Sequence, residues 1–158
     1  MGQPGQKPPP AEDAGAAMAL VFRAGSLLCA LRLDEVIETM RPLPARPLAG
    51  TPPYVPGVAV IRGVPTPVLD VARLLAGETT EIARFLAVRT EHGPVAFATG
   101  PVLGIRTTPV AGPAVYPGVS SRLVAGVGTV DGEPLLLLQS MRVVPDEVWL
   151  AAAGEAVG

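Results

Sequence analysis

The sequence predicts a mainly all-β protein: two similar tandem units, each of about five strands closed into a small barrel, with a few short helices. Three observations carry this prediction. The 158 residues include 19 prolines and 18 glycines, which exclude long helices over most of the chain and favour short elements joined by turns. Apolar residues make up 49% of the chain but aromatics only 4%, so the core must be built from Val, Leu, Ile and Ala. The third observation is an internal repeat. Residues 57–75, GVAVIRGVPTPVLDVARLL, align without a gap on residues 126–144, GVGTVDGEPLLLLQSMRVV. Gly57 falls on Gly126, Gly63 on Gly132, Pro65 on Pro134 and Leu69 on Leu138. Chance rarely reproduces such a spacing of glycine, turn and proline. A duplication gives two like units, and closing each into a barrel removes its exposed sheet edges.

Taken in order, residues 1–17 are rich in Pro, Gly and Ala and have no apolar period, which predicts a disordered tail. A first barrel is expected over about 18–80 and a second over about 81–145. Residues 19–33 split at Gly25-Ser26 into a hairpin. Asp34 is placed to cap a short helical turn through Glu35, Val36 and Ile37. Residues 41–56 carry seven prolines or glycines and read as an irregular connection pinned by Tyr54 and Val55. Next come a strand, a turn at Arg62-Gly63, a second strand, and a short helix capped by Asp70 and stopped by Gly77. The second half repeats the plan. Strands 82–88 and 95–98 flank a turn at residues 91–93, and at a constant offset Leu20 falls on Leu86, Arg23 on Arg89, Ala30 on Ala96 and Val36 on Val102. Residues 108–121 mirror the long connection. Residues 124–138 form a hairpin about Asp131-Gly132, a dipeptide suited to a type I′ turn. A last helix is expected within 146–158, capped by Asp146 and anchored by Trp149.

Composition narrows the function. A net charge of −2 gives no basic field for a phosphate backbone. Mean hydropathy is +0.42, yet no run approaches the ~18 apolar residues of a membrane span. One lysine and no apolar core near the start argue against a secretory signal. The single cysteine, Cys29, suits a reducing compartment and is expected to be a buried thiol. A cytoplasmic protein is the reading. With one cysteine and one histidine, His92, no zinc-ligand set can be assembled. No Gly-x-Ser-x-Gly elbow and no phosphate-binding loop is present, and the only lysine is Lys7. Catalysis is not expected, and no cofactor or metal.

The chain resembles the CheW-like chemotaxis coupling proteins. The resemblance lies in Leu20-Val21-Phe22, in residues 51–58 (TPPYVPGV), in Ile61-Arg62-Gly63 and in residues 67–71 (PVLDV), and covers roughly 19–144. It implies two SH3-like five-stranded barrels with a hydrophobic groove between them. It implies a non-enzymatic scaffold that links chemoreceptor cytoplasmic tips to the regulatory domain of a CheA-type histidine kinase, at membrane-associated arrays and without membrane insertion. Other CheW-like proteins are further partners in such arrays. Carried over by position, the resemblance places Arg62, Glu38, Val36 and Gly57 in or beside the receptor-binding region. Ile37, next to Val36, is a further candidate for an exposed apolar contact. The second half departs from the family pattern, with Gly100-Pro101-Val102 and Leu138-Gln139 where acidic positions are usual. A divergent coupler that binds receptor or other couplers but not kinase is therefore an alternative. A barrel module for peptides or oligonucleotides is another, opposed by the scatter of the aromatics.

One comparison inside the chain singles out Arg62. The repeat puts Asp131 at the same turn position, and Asp is ordinary turn chemistry where Arg is not. Arginine there needs another reason, and an ion pair to Glu38 supplies one.

Overall fold

The structure is a computed structural model, and it describes residues 18–107 and 123–139. The expectations for residues 1–17, 108–121 and 146–158 lie outside the described residues. Among the described residues, ten strands run β1 (Met18–Ala24), β2 (Leu27–Arg32), β3 (Val36–Met40), β4 (Gly57–Ile61), β5 (Val64–Asp70), β6 (Arg84–Thr90), β7 (Gly93–Thr99), β8 (Val102–Thr107), β9 (Val124–Val130) and β10 (Glu133–Leu138). A short helix, α1 (Val71–Ala76), follows β5. The strands form two five-stranded sheets, ordered β8-β1-β2-β10-β9 and β3-β6-β7-β5-β4.

This order corrects the expected boundaries. The sheets are not the sequential segments 18–80 and 81–145. The first sheet takes β1 and β2 from the start of the chain and β8, β9 and β10 from its end, while β3 to β7 build the second. The two repeats have exchanged strands, each giving a hairpin to one sheet and three strands to the other. The duplication itself is plain in the registers. Val21 opposite Ala30 is matched by Ala87 opposite Ala96, and Ile61 opposite Val64 by Val130 opposite Glu133. Leu137 beside Ala30 is matched by Val68 beside Ala96, the parallel pair in each sheet. Even the bulge is kept, at Ile37 in β3 and at Leu103 in β8.

Residues 33–38 differ from the expected helical turn. Only Leu33–Glu35 form a 3₁₀ turn, and Val36, Ile37 and Glu38 lie on β3. β-branched Val, Ile and Thr favour the pleated conformation, and pairing with β6 satisfies their backbone. Asp34 is not a cap; its carboxylate pairs with Arg32 at 3.2 Å. The helix after β5 is as expected: the Arg73 amide donates to Asp70 Oδ1 at 3.2 Å, and Gly77 closes it at φ 70°. Tyr54 and Val55 do anchor the connection, Val55 being buried and the Tyr54 carbonyl accepting from the Asp70 amide at 2.8 Å.

The main core lies between the sheets. Phe22, Cys29 and Leu31 from one meet Leu86, Val88 and Phe97 from the other, with Leu69 and Leu75 beside them. Each sheet also packs a smaller cluster on its far side, Val21, Leu28 and Leu135 in the first and Ile61, Val68 and Phe85 in the second. No helix among the described residues is long and apolar enough to cross a membrane.

Candidate functional site

Arg62 and Glu38 meet. The Arg62 guanidinium donates from Nε to Glu38 Oε2 and from Nη2 to Glu38 Oε1, both at 2.7 Å, a bidentate pair. Glu38 sits on β3 and Arg62 follows β4, and these are the two ends of the strand order in their sheet. The pair therefore clasps the seam where the sheet curls back on itself. Its two members are not equally exposed, with the side chain of Arg62 76% exposed and that of Glu38 only 25%. The guanidinium presents a fixed cationic face to the outside. Its hydrogen bonds, and then its charge, hold the Glu38 carboxyl below the usual glutamate range.

Holding the arginine there strains the backbone. Arg62 has φ 52° and Gly63 φ 79°, the left-handed pair of a type I′ turn, and Asp131 and Gly132 repeat it at 49° and 80°. Left-handed geometry is unfavourable for a long L side chain without local hydrogen bonding to its own turn. Asp tolerates it; Arg62 is retained against it.

Beside the clasp lies an apolar groove of about 160 Å³, lined by Ile37, Ile61, Val64, Thr66, Ala87 and Pro94 together with the pair. Ile37 and Val64 leave 43% and 49% of their surface exposed. Of the two neighbours on β3, Ile37 faces this groove, whereas Val36 is half-buried and packs on the main core. Gly57 is buried at the start of β4 with φ 151°. A Cβ there would overlap the Arg46 carbonyl, which accepts from the Val58 amide at 2.8 Å. Gly57 thus lets the 41–56 connection lie against β4, and it touches the groove only through the strand it starts. The five expected residues thus divide: Arg62, Glu38 and Ile37 come together at the groove, and Val36 and Gly57 support it from behind. Ile61, Val64, Thr66, Ala87 and Pro94 were missed. Val64 had a readable signal, because in a two-residue hairpin the residues flanking the turn stand opposite each other, which puts it beside Ile61.

On the other face of the same hairpin, Val60 is 64% exposed and joins Leu43, Ala45 and Pro65 along an open shelf of about 560 Å³ edged by Arg46. Cys29 is fully buried in the main core, and burial pushes its thiol up to about 12. His92 stands at the tip of the β6–β7 hairpin, 3.6 Å from Glu91. No group of three or more His, Cys, Asp or Glu side chains suited to a metal occurs among the described residues. In the second half, the Gly100 amide donates to the Arg23 carbonyl at 2.8 Å and the Arg23 amide to the Pro101 carbonyl at 2.9 Å. Gly100 and Pro101 are thereby tied to β1, inside the first sheet.

Comparison with known proteins agrees with this architecture. The crystal structure of the scaffolding protein TtCheW from Thermoanaerobacter tengcongensis superposes with a TM-score of 0.72, covering 80% of this chain and 90% of that one at 16% identity. No match was found among curated protein sequences. The family model of the CheW-like domain matches residues 18–148, and the chain belongs to that family of non-catalytic scaffolds.

Proposed function

We propose that this chain is a chemosensory coupling scaffold that grips the cytoplasmic tip of a chemoreceptor at the groove beside Arg62 and Glu38. In this reading it joins that tip to the regulatory domain of a CheA-type histidine kinase in a cytoplasmic array. The observation that carries the reading is the clasp itself. An arginine is kept at a left-handed turn position, oriented by two hydrogen bonds, at the rim of an apolar groove. Such a rim suits an amphipathic helix that lays apolar side chains into the groove and turns an acidic residue toward the guanidinium. The exposed pair contributes orientation and specificity more than stability. Coupling then follows from differential contacts: a receptor change that alters the fit at the groove biases the kinase between its two states. Interfaces of this kind are modest and reversible, with dissociation constants on the order of micromolar.

The test is a pair of titrations of the purified chain, one with a receptor-tip fragment and one with the kinase regulatory domain. Arg62→Ala should weaken tip binding about tenfold, equivalent to ~1.4 kcal/mol, and leave the far-UV circular dichroism spectrum and the kinase titration unchanged. Wild-type tip affinity in Arg62→Ala overturns the assignment of the groove. The kinase arm stands on the family, and its own titration decides it. Tip binding without kinase binding selects the divergent coupler, a reading that the substitution of Gly100-Pro101 for the acidic step favours.

A further inference from the structure

The exchanged repeats place a second copy of the groove at the mouth of the first sheet. By the matching registers, Ile61 corresponds to Val130, Arg62 to Asp131, Val64 to Glu133 and Ile37 to Leu103. Ala87 and Pro94 correspond to Val21 and Leu28. A cavity does lie there, lined by Val21, Leu28, Leu103, Val130, Asp131 and Glu133 together with Arg23 and Arg106, but it measures about 100 Å³ against about 160 Å³.

Three differences close it. Larger side chains fill the floor, since Val21 and Leu28 replace Ala87 and Pro94, and Leu135 replaces Thr66, all three buried. The exposed Val64 becomes Glu133, whose carboxylate is held by Arg23 in a bidentate pair with contacts of 2.5 and 3.0 Å. The seam clasp is reversed in sign. The acid is now on the turn, Asp131, and the cation on the strand is Arg106, 3.5 Å away and two residues beyond Gly104, the positional counterpart of Glu38. Asp131 is 82% exposed, so this rim offers a negative face where the first offers a positive one.

We propose that these side chains make the second groove a closed counterpart of the first, so that the chain takes one receptor tip and not two. This inference deepens the coupling reading and rests on it. The duplicated fold supplies two equivalent mouths, and the choice between them is made by a plug, a cap and a charge reversal. A helix that turns an acidic residue toward Arg62 meets Asp131 at the other mouth, where like charges oppose it.

Isothermal titration of the full chain with a purified receptor-tip fragment tests this. The wild type should bind one equivalent. Val64→Glu, which gives the first groove the carboxylate that caps the second, should lose at least tenfold in affinity with no residual site. A combined variant with Val21→Ala, Arg106→Glu, Asp131→Arg and Glu133→Val should gain a second equivalent while keeping the first. Two equivalents in the wild type, or an undiminished site in Val64→Glu, overturn the inference. So does a folded combined variant that still binds one equivalent. If the combined variant does not fold, the first two titrations decide. A wild-type chain that binds no tip overturns the coupling reading itself, and this inference falls with it.

Discussion

At the scale of single residues, function and stability pull Arg62 in opposite directions. Its φ of 52° suits Gly or Asn better than Arg. Arg62→Gly should therefore leave the melting temperature equal to or above that of the wild type while tip binding falls, a sign difference that simple misfolding cannot produce. A drop in both together removes the case for a functional arginine. Glu38 gives the pH dependence. Its carboxyl is lowered by Arg62, so the pair is intact above the ordinary glutamate range, ~4.3, and is lost only as pH falls through the depressed value. Tip binding should be level from neutral down to the ordinary glutamate range, ~4.3, and decline only below it, and Glu38→Gln should remove the part of that decline that belongs to the pair. Cys29 runs the other way. Its thiol is pushed up to about 12, so the unfolded chain ionises first as pH rises and the fold loses stability above ~8.5. Denaturant midpoints measured from pH 8 to 10 should fall in the wild type and fall less in Cys29→Ala.

At the scale of elements, turns and caps were legible in the sequence because their chemistry is local. Asp131-Gly132, Asp70 and Gly77 each act within a few residues of themselves. The Gly25-Ser26 turn was legible too, although the Ser26 amide and hydroxyl donate to Glu78, 52 residues on. β3 was not legible. Leu33–Glu35 start a 3₁₀ turn, and the switch to strand at Val36 is decided by β6, which is distant in sequence. Gly57 was read from the family pattern, but its physical reason is a connection that lies against it, which no periodicity reveals. Gly57→Ala should be the costlier kind of substitution, on the order of 1–3 kcal/mol for the backbone alone, because the Arg46 carbonyl must also move. Asp70 separates cap from charge. Burial raises its carboxyl against the lowering effect of the Arg73 amide. Asp70→Ala should cost about 1 kcal/mol in chemical denaturation, whereas Asp70→Asn, which keeps a capping oxygen, should cost little.

At the scale of the whole molecule, the repeat was readable and the exchange of strands was not. Alignment shows that 57–75 resembles 126–144, but two like units can pair with themselves or with each other, and the hydrophobic pattern is the same in both cases. The structure takes the second course. β2 lies parallel to β10 and β7 parallel to β5, so each parallel pair joins the two repeats. The consequence is cooperative. Neither segment 18–80 nor 81–145 holds a complete sheet, and the main core mixes Phe22 and Cys29 from one sheet with Leu86 and Phe97 from the other. Unfolding one sheet strips strands from both repeats and opens that shared core, so no half has a stable state of its own. Urea unfolding should therefore be a single transition. Backbone circular dichroism and alkylation of Cys29, which is reached only when the core opens, should give coincident midpoints. A chain cut between the repeats, near residue 80, should be unfolded as separate pieces and regain structure only when the two are mixed. Two separated transitions, or a folded fragment 1–80, are the results that the interleaved sheets exclude.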